Sequence, residues 1–548
     1  MTYKVLISDN LSKDIIYKFN EADIDVVYSP EMGKNSSLIL NEIHNFDAIA
    51  IRSDTKINSA LLNKATKLKV IGRAGIGIDN IDLKLASNKG IVVMNTPFGN
   101  AITTAEHTMA MIFSSARKIP AANESTHSGK WEKNNFIGTE LSGKKLGVVG
   151  VGNIGSIVVS LAQSIGMEII AYDPFLSNER AKNLKISKTT CLSELLSQSD
   201  IVTLHLPINE NTNNIISSEN IFKMKKGSIL INCARGGLVD ENAVVDAIQK
   251  NHLSAAAFDV YLEEPALSNP LFGLKNVICT PHLGASTTEA QEKVSFQIAE
   301  QIIDFLNNGA ITNALNAPPI DSKEALLLNP WIRLAKNLGS FVGQITDAPI
   351  LDIEIEYVGK VGELNFKPIS SVLIAEILKP LVGGGLVNMV SAPLIARNKG
   401  IKISEIRRDT QGAFDSYIRV VLNHENILFS IAGTIYSDGK PRFIQINSIN
   451  LEAEPVNHML YTTNIDKPGY IGALGMVLGE ANVNIATFSL GRDKKNGKAL
   501  ALLGVDEAIS DNVIEKIKKL PQDCLGGVSI YRYSLERFGT PKMRYYLD

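Results

Sequence analysis

A glycine-rich turn between an apolar run and a helical pattern limits the fold of this chain more than any other feature. In KKLGVVGVGNIGSIVVSLAQSIGMEIIAYDP, Gly150, Gly152 and Gly155 follow a strand-like run, and Asp173 ends the next such run, 18 residues after Gly155. Glycines at this spacing let the backbone approach a pyrophosphate group, whose charge lies at the N-terminus of the following helix. The segment therefore predicts a βαβ unit that binds a dinucleotide.

Asp173 is expected to select the cofactor. A carboxylate at this position accepts hydrogen bonds from the ribose hydroxyls of NAD and repels the 2′-phosphate of NADP. The sequence therefore favours NAD, with Gly150, Gly152, Gly155 and Asp173 as contacts. The alternative is a structural βαβ turn that binds no ligand, because glycine-rich turns are common.

Two series of alternating strand-like and helix-like runs surround this turn. Residues 1–98 contain the strand-like runs KVLIS, IDVVYS, DAIAIRS, LKVIGRAG and IVVMNTP. The second series contains six, which are LGVVG, EIIAYD, IVTLHLP, SILINCA, AAAFDV and VICTPH. Such alternation predicts α/β domains with parallel sheets. We expect a Rossmann-type, doubly wound domain (residues 99–286) inserted into a flavodoxin-like substrate domain (residues 1–98 and 287–316).

The last part of the chain has a different pattern. The proline-marked segment NAPPIDS, residues 316–322, predicts a linker. Residues 317–455 mix strand-like and helix-like runs, and residues 456–548 contain a strand, a DKPG turn, a helix and further strands. We therefore expect two α+β domains after the α/β part, and the second is a small module.

Composition and charge exclude several classes of function. At 548 residues, with 45% hydrophobic and 20% charged residues, the chain is typical of globular proteins with three or four domains. A net charge of −2 without a long basic run argues against nucleic acid or membranes as partners. Four scattered cysteines indicate a reducing compartment and no metal site. Because the chain opens on a strand-like run and lacks an apolar run of about 18 residues, we expect a cytoplasmic protein.

Polar residues end three strand-like runs of the second series. Arg235, Asp259 and His282 end the fourth, fifth and sixth runs, and Glu264 lies in the loop before the sixth. Ligands of doubly wound sheets bind beyond the carboxyl ends of the strands. Beside a nicotinamide, an arginine can hold the carboxylate of a 2-hydroxy acid, a histidine can take its hydroxyl proton, and a glutamate can orient the imidazole and favour its charged form. The alternative for Arg235 is a surface arginine in a turn, and His205, at another strand end, fits a cofactor contact or a core role.

Several segments resemble one enzyme family. GVGNIG, YDP, CARGGLVDE, FDVYLEEP and TPHLGAST resemble the signatures of the D-isomer-specific 2-hydroxyacid dehydrogenases. IRSDTKI, IGRAGIGIDNID and NTPFGNAITTAEH are similar to segments of the phosphoglycerate dehydrogenases within that family. The resemblance covers essentially the full length, including the later domains of the long form. It implies NAD-dependent oxidation of 3-phospho-D-glycerate to 3-phosphooxypyruvate, the first step of L-serine synthesis.

The resemblance also implies roles for single residues, and Arg235, Glu264 and His282 would be catalytic. Cofactor contacts would fall on Gly150, Gly152, Asn153, Ile154, Gly155, Asp173, Leu206, Cys233, Ala234, Arg235, Asp259, His282, Leu283, Gly284 and Ala285. Substrate contacts would fall on Arg52, Ser53, Arg73, Gly75, Asn100 and Lys133. Arg52 and Arg73 end strand-like runs and supply cations for the phosphate group. Lys133 reaches the site of a neighbouring subunit in relatives, which implies a homodimer or homotetramer, and the alternative is a solvated surface cation.

The C-terminal module, LYTTNIDKPGYIGALGMVLGEANVNIATFSLGR, resembles an ACT domain, which is a regulatory module for small ligands. The resemblance implies that Asn464, Asp466 and Asn484 bind an amino-acid effector, and we expect L-serine. The alternative is an ACT-like unit that binds no ligand.

Two other functions remain open on the sequence. A reductase acting on hydroxypyruvate, glyoxylate or 2-oxoglutarate would keep Arg235, Glu264 and His282, but would not need Arg73 or the two C-terminal domains. A protein that senses NAD(H) and acts as a corepressor would use the same fold without catalysis. Because fold alone does not define function, the catalytic set and the later domains favour the phosphoglycerate enzyme.

Overall fold

The computed structural model describes residues 2–546 except for residues 98, 347–348, 383–386, 410–412, 425–426, 521–528 and 535–544. In this part of the chain the strands form four sheets. The first two sheets are parallel, and the last two are wholly or mostly antiparallel.

The first sheet is parallel and follows the predicted pattern. Its strands are β1 (Lys4–Ile7), β2 (Asp25–Tyr28), β3 (Ala48–Ile51), β4 (Val70–Arg73) and β5 (Val92–Asn95). Its helices are α1 (Ile15–Glu21), α2 (Glu31–Lys34), α3 (Ser36–Glu42), α4 (Ser59–Lys64) and α5 (Leu83–Asn88). The order β2-β1-β3-β4-β5 is that of flavodoxin-like folds. The central strand β3 is buried along its whole length, as expected for a sheet that is covered on both faces.

The second sheet follows two helices, α6 (Ala101–Arg117) and α7 (Ile119–His127). Its strands are β6 (Lys145–Val149), β7 (Glu168–Tyr172), β8 (Ser187–Thr189), β9 (Ile201–Leu204), β10 (Ser228–Asn232), β11 (Leu253–Phe258) and β12 (Val277–Cys279). Its helices are α8 (Asn153–Ser164), α9 (Asn178–Asn183), α10 (Leu192–Gln198) and α11 (Glu241–Gln249). The parallel order β12-β11-β10-β9-β6-β7-β8 contains the doubly wound arrangement of a Rossmann fold.

The prediction of six strands in this sheet was wrong by one. The extra strand, β8, has three residues of the sequence SKT and lies at the sheet edge. An edge strand does not need an apolar run when its side chains are largely exposed, and only Thr189 of β8 is buried, so periodicity missed it. Arg235, Asp259 and His282 consequently follow the fifth, sixth and seventh strands rather than the fourth, fifth and sixth.

The chain returns to the first sheet after the second is complete. Helix α12 (Thr288–Asn308) is the long helix that the sequence predicted after TPHLGAST. Its residues Ile298 and Ile302 are buried in the same core as Val5 and Val70 of the first sheet. The second sheet is therefore inserted between two parts of the chain that pack together.

Two further sheets complete the described chain. The third sheet consists of β13 (Ile350–Gly359), β14 (Lys402–Arg408), β15 (Ser416–His424), β16 (Ile427–Ile435), β17 (Pro441–Ile446) and β18 (Ile449–Ala453). The helices in this part of the chain are α13 (Ser322–Ile345), α14 (Lys367–Val382) and α15 (Ala392–Asn398). The fourth sheet consists of β19 (His458–Ile465), β20 (Ile485–Arg492), β21 (Lys498–Val505), β22 (Ser529–Ser534) and β23 (Tyr545–Tyr546). The helices in this part of the chain are α16 (Tyr470–Glu480) and α17 (Asp511–Lys518). The fourth sheet packs on α13, where the rings of Phe341 and Tyr461 lie 5.6 Å apart.

Within the described ranges, none of the helices is both long enough and apolar enough to span a membrane.

Candidate active site

A cleft of about 700 Å³ separates the carboxyl ends of the first and second sheets. Because parallel strands end at the same edge of a sheet, residues far apart in sequence meet there. The predicted residues that line it are Arg52, Ser53, Arg73, Gly75, Asn100, Asn153, Ile154, Leu206, Cys233, Ala234, Arg235, Asp259, Glu264, His282, Gly284 and Ala285. Lys133 is exposed in the turn Lys133–Phe136 and is not part of this lining, so its predicted contact with a second subunit stays a prediction.

His282 and Glu264 form a directly hydrogen-bonded pair. The Nδ1 atom of His282 lies 2.6 Å from Oε2 of Glu264, and the Tyr261 N–H donates to Glu264 Oε1 at 3.0 Å. Partial burial raises the pKa of Glu264, but the hydrogen bond and charge of His282 and the Tyr261 N–H lower it more, so the net pKa lies below its ordinary value. An ionised Glu264 therefore orients the imidazole and leaves Nε2 for a second contact.

Asp259 fixes the turn that carries His282. This buried carboxylate accepts hydrogen bonds from the N–H groups of Leu283 at 2.7 Å and Gly284 at 2.8 Å, and from the Thr280 hydroxyl at 2.5 Å. Burial raises the pKa of Asp259, but the His107 contact at 3.2 Å and these donors outweigh burial and lower it. The sequence predicted Asp259 as a cofactor contact, which stays a prediction, whereas the structure shows that its carboxylate holds this turn.

Arg235 reaches the cleft from the turn after β10. An added Cβ at Gly236 would lie 1.8 Å from the Tyr261 carbonyl oxygen, so only glycine allows this close approach after Arg235. The Arg235 Nε atom lies 3.1 Å from Oδ2 of Asp79, which belongs to the first sheet's side of the cleft. Sequence reasoning missed Asp79, although an acidic residue in IGRAGIGIDNID, shortly after the end of β4, was a visible signal.

Arg52 and Arg73 add positive charge to the same cleft. Arg73 is largely buried, and this burial, together with the charges of Arg235 and Arg52, lowers its pKa to about 10. Burial also lowers the pKa of Arg52, although Asp54 and Asp9 act in the opposite direction. Three guanidinium groups that repel one another across a cleft favour an anion between them.

The glycine-rich turn has the shape that a dinucleotide requires. Gly150 has a φ of 94°, and an added Cβ there would lie 2.5 Å from the His205 carbonyl oxygen. A Cβ at Gly152 would instead enter open space, at the first turn of α8, where no side chain caps the helix. The α8 N-terminus therefore leaves its N–H groups to a phosphate, and the residues present fit NAD.

Asp173 lies directly after β7, as predicted. Its Oδ2 atom accepts the Val151 N–H at 2.8 Å, and its Oδ1 atom accepts the Phe175 N–H at 2.8 Å. These two bonds hold the carboxylate beside the glycine-rich turn, where a ribose would lie next to the pyrophosphate.

His205 lines the cleft and is half-buried, with its Nδ1 atom turned into the protein. Burial lowers its pKa to about 4, and its Nε2 atom lies 3.1 Å from the Thr203 hydroxyl. The core and cofactor alternatives for His205 are therefore compatible, because a neutral, buried imidazole can form part of the cleft wall.

The three predicted effector residues do not meet within one C-terminal module. Strands β19 and β20 flank β21 and run in the same direction, with Asn464 and Arg492 both level with Ala499. Asp466 therefore lies beside Arg492, at 2.6 Å, whereas Asn484 precedes the other end of β20 and donates to Asp506 at 2.6 Å. Asn484 lies eight residues before Arg492, so at about 3.3 Å per residue it lies roughly 25 Å from Asn464.

The site lies in a cleft between two parallel sheets and combines a glycine-rich turn, an arginine and a glutamate–histidine pair. This combination defines the class of the protein, which is a D-isomer specific 2-hydroxyacid dehydrogenase. The family described as D-isomer specific 2-hydroxyacid dehydrogenase, NAD binding domain, matches residues 109–284. The D-3-phosphoglycerate dehydrogenase intervening domain matches residues 327–447, and the ACT domain matches residues 458–522. This chain belongs to the D-3-phosphoglycerate dehydrogenases and is an NAD-dependent oxidoreductase.

Relatives match the chain over most of its length. The D-3-phosphoglycerate dehydrogenase of Bacillus subtilis is 39% identical over 520 residues, which cover 95% of this chain and 98% of that relative. That of Methanocaldococcus jannaschii is 38% identical, covering 94% and 98%. The solved structure of a D-lactate dehydrogenase from Aquifex aeolicus, complexed with NAD and lactic acid, is 27% identical with a TM-score of 0.51, covering 57% of this chain and 99% of that one.

Proposed function

We propose that this enzyme oxidises 3-phospho-D-glycerate to 3-phosphooxypyruvate with NAD, and so begins the synthesis of L-serine. Relatives named D-3-phosphoglycerate dehydrogenase, matched along nearly their whole length, support the substrate. The observation that carries the chemistry is the 2.6 Å contact between His282 and Glu264 at the edge of the cleft.

His282 is the general base of the oxidation. Its Nε2 atom takes the proton of the C2 hydroxyl, while Glu264 holds Nδ1 and stabilises the positive charge that forms on the imidazole. The nicotinamide of NAD, when bound, accepts the hydride from C2. In the reverse direction His282 returns its proton to the oxygen at C2, so the same pair serves both directions.

Arg235 binds the substrate carboxylate and positions C2. Its guanidinium presents two parallel N–H donors, which match a carboxylate and polarise the neighbouring carbonyl of the oxo acid. Its Nε atom is held by Asp79, and its Nη1 atom donates one hydrogen to the Ala234 carbonyl oxygen at 2.6 Å, so Nη2 and the second hydrogen of Nη1 are the donors left for the substrate. Asn100, whose side-chain oxygen is buried without a partner among the described residues, supplies a further polar contact.

Arg52, Ser53 and Arg73 bind the phosphate group. All three line the cleft on the side of the first sheet, across from Arg235 and His282. Arg73 carries an Nε atom that is buried without a partner in the described part of the chain, and such a donor is costly unless a ligand satisfies it. This cationic subsite distinguishes the proposed substrate from hydroxypyruvate or glyoxylate, which lack a phosphate.

The last domain binds L-serine between two modules, and the enzyme acts as a homodimer or homotetramer in the cytoplasm. The match to ACT domains supports an amino-acid effector. Asn464 and Asn484 lie at opposite ends of one module, and a second module in a head-to-tail arrangement would bring one of each together. Lys133, exposed on the surface, belongs to the contact with the second subunit.

A substrate panel tests the proposed function. Reduction of 3-phosphooxypyruvate, hydroxypyruvate, glyoxylate and 2-oxoglutarate by NADH is measured for the wild type and for Arg73→Ala. We expect the wild type to favour 3-phosphooxypyruvate, and Arg73→Ala to raise its KM about tenfold to hundredfold, the value of a lost charge-assisted hydrogen bond. Equal losses on 3-phosphooxypyruvate and hydroxypyruvate would contradict a phosphate contact at Arg73. A wild-type preference for an unphosphorylated oxo acid would favour the sister reductases, and NADH binding without turnover would favour the corepressor-like protein.

A further inference from the structure

The turn that presents Arg52 and Ser53 to the cleft is held from behind by a buried acid. This turn follows β3 and ends at Thr55, which precedes α4. Asp9 follows β1, the neighbour of β3, and its side chain is almost completely buried. It does not line the cleft, so it contacts the turn from the side away from the substrate.

The Asp9 carboxylate is bound almost entirely by this turn. Its oxygens accept hydrogen bonds from the N–H groups of Arg52 and Thr55, and the Thr55 hydroxyl also donates to it. Ser8 lies 2.8 Å from the same hydroxyl. A buried carboxylate is costly unless its oxygens are satisfied, so the turn must keep this form to satisfy Asp9.

Asn80 holds the carbonyl groups of the same turn. Its Nδ2 atom donates to the carbonyl oxygen of Arg52 at 2.8 Å and to that of Thr55 at 2.7 Å. Asn80 belongs to the loop after β4, which also carries Gly75 and Asp79 of the cleft. The turn is therefore fixed at its N–H groups by Asp9 and at its carbonyl groups by Asn80.

We propose that Asp9 and Asn80 are positioning residues for phosphate recognition, because together they hold the Arg52–Thr55 turn in the form that presents Arg52 and Ser53 to the substrate. The inference rests on the proposed phosphate subsite and assigns it residues that never touch the substrate. The negative charge of Asp9 also lies close enough to favour the charged forms of Arg52 and Arg73.

Asp9→Asn tests the proposal, because asparagine keeps the size of the side chain but replaces one acceptor oxygen with an N–H donor that faces other donors. We expect the KM for 3-phosphooxypyruvate to rise about tenfold or more, as for a lost hydrogen bond to a charged group. The kcat and the KM for hydroxypyruvate, which has no phosphate, should change by less than about threefold. If Asp9→Asn fails to fold, as judged by thermal unfolding and NADH fluorescence titration, Asn80→Ala gives the same test from the carbonyl side.

Asp54→Asn is the matched control. Asp54 lies in the same turn and lines the cleft, but in the described structure it accepts only a long hydrogen bond from the Ser53 hydroxyl, at 3.5 Å, and no backbone N–H. Asparagine keeps an oxygen for that hydroxyl, so the variant removes the same charge without loosening the turn. We expect it to lower the KM for 3-phosphooxypyruvate, because a carboxylate that repels the phosphate is lost. A change in the same direction for Asp9→Asn and Asp54→Asn would mean that charge alone matters, and would overturn the positioning role.

A combined variant separates this inference from the proposed function. If Asp9 acts through Arg52 and Ser53, then adding Asp9→Asn to a variant that carries Arg52→Ala and Ser53→Ala should not weaken the binding of 3-phosphooxypyruvate further. Additive losses would contradict the proposal. If Arg52→Ala has no selective effect on 3-phosphooxypyruvate, Arg52 does not belong to the phosphate subsite, and the proposed function loses that contact. If Arg52→Ala has a selective effect but Asp9→Asn and Asn80→Ala have none, only this inference is overturned.

Discussion

The second and fourth sheets differ in whether the polar residues at their strand ends lie close together. In the parallel second sheet, Arg235 and His282 follow different strands and face one cleft. In the antiparallel fourth sheet, Asn464 and Asn484 lie at opposite ends of one module. A parallel sheet gathers the residues that follow its strands at one edge, so Arg235 and His282 meet within one chain. The fourth sheet cannot do so, and an effector site that uses both asparagines requires a second module.

The largest loss of turnover is expected for a substitution of His282, which follows a strand of the second sheet. His282→Ala should lower kcat by about 10²–10⁴-fold, the usual contribution of a positioned acid–base group, while NADH still binds. Turnover and NADH fluorescence titration measure the two quantities. His44→Ala, on the exposed surface far from any strand end of the cleft, is the matched control and should keep wild-type turnover. Full activity in His282→Ala would show that the cleft does not use this residue.

A substitution of Asp173, at another strand end of the same sheet, tests whether that edge also discriminates between NAD and NADP. Asp173→Ala should weaken NAD binding by about tenfold and reduce the discrimination against NADP, because a ribose contact and a negative charge are lost together. Competition between NADH and NADPH in fluorescence titrations measures both effects. Unchanged NAD affinity in this variant would move the ribose contact to another residue.

An effector site shared between two fourth sheets should depend on asparagines from both subunits. Calorimetry should detect L-serine binding to the intact protein, and either Asn464→Ala or Asn484→Ala should abolish this binding. Glu507→Gln changes an exposed residue of the same module and, as the control, should leave the binding unchanged. Because each site would take one asparagine from each of two modules, mixing the two asparagine variants should restore part of the binding after subunits exchange. No binding at millimolar serine would leave the module without this ligand, and loss without restoration on mixing would place the site within one module.

The smallest effect concerns His205, which lies at a strand end but transfers no proton. Because burial lowers its folded pKa to about 4 from an ordinary 6.5, the unfolded chain binds the extra proton first as pH falls. The contribution of His205 to the free energy of unfolding is therefore complete above pH 6.5 and decreases as the pH falls towards 4. Urea unfolding of the wild type and of His205→Asn should show a shallower decrease in the variant, and parallel curves would contradict a buried neutral imidazole.

The sequence predicted the cleft better than it predicted the contacts between loops. Alternating runs locate the strand ends, and in a parallel sheet a strand end already places a residue such as Arg235 or His282. Strand β8 was missed because a short edge strand needs no apolar run. The Asp79–Arg235 pair and the Asp9 contacts join loops that are distant in the chain, and no periodicity encodes such pairs. The separation of Asn464 from Asn484 follows from sheet order, which the sequence does not reveal.

The central claim is that strand ends of the parallel sheet assemble one proton relay, in which Glu264 acts only through His282. The most direct test compares kcat for Glu264→Gln, His282→Ala and the double variant. Residues that act as a unit are not additive, so the double variant should be no slower than His282→Ala, and Glu264→Gln alone should lose less than His282→Ala and shift the pH profile of kcat. A double variant that is slower by the product of the two single losses would contradict the relay and give Glu264 a separate role.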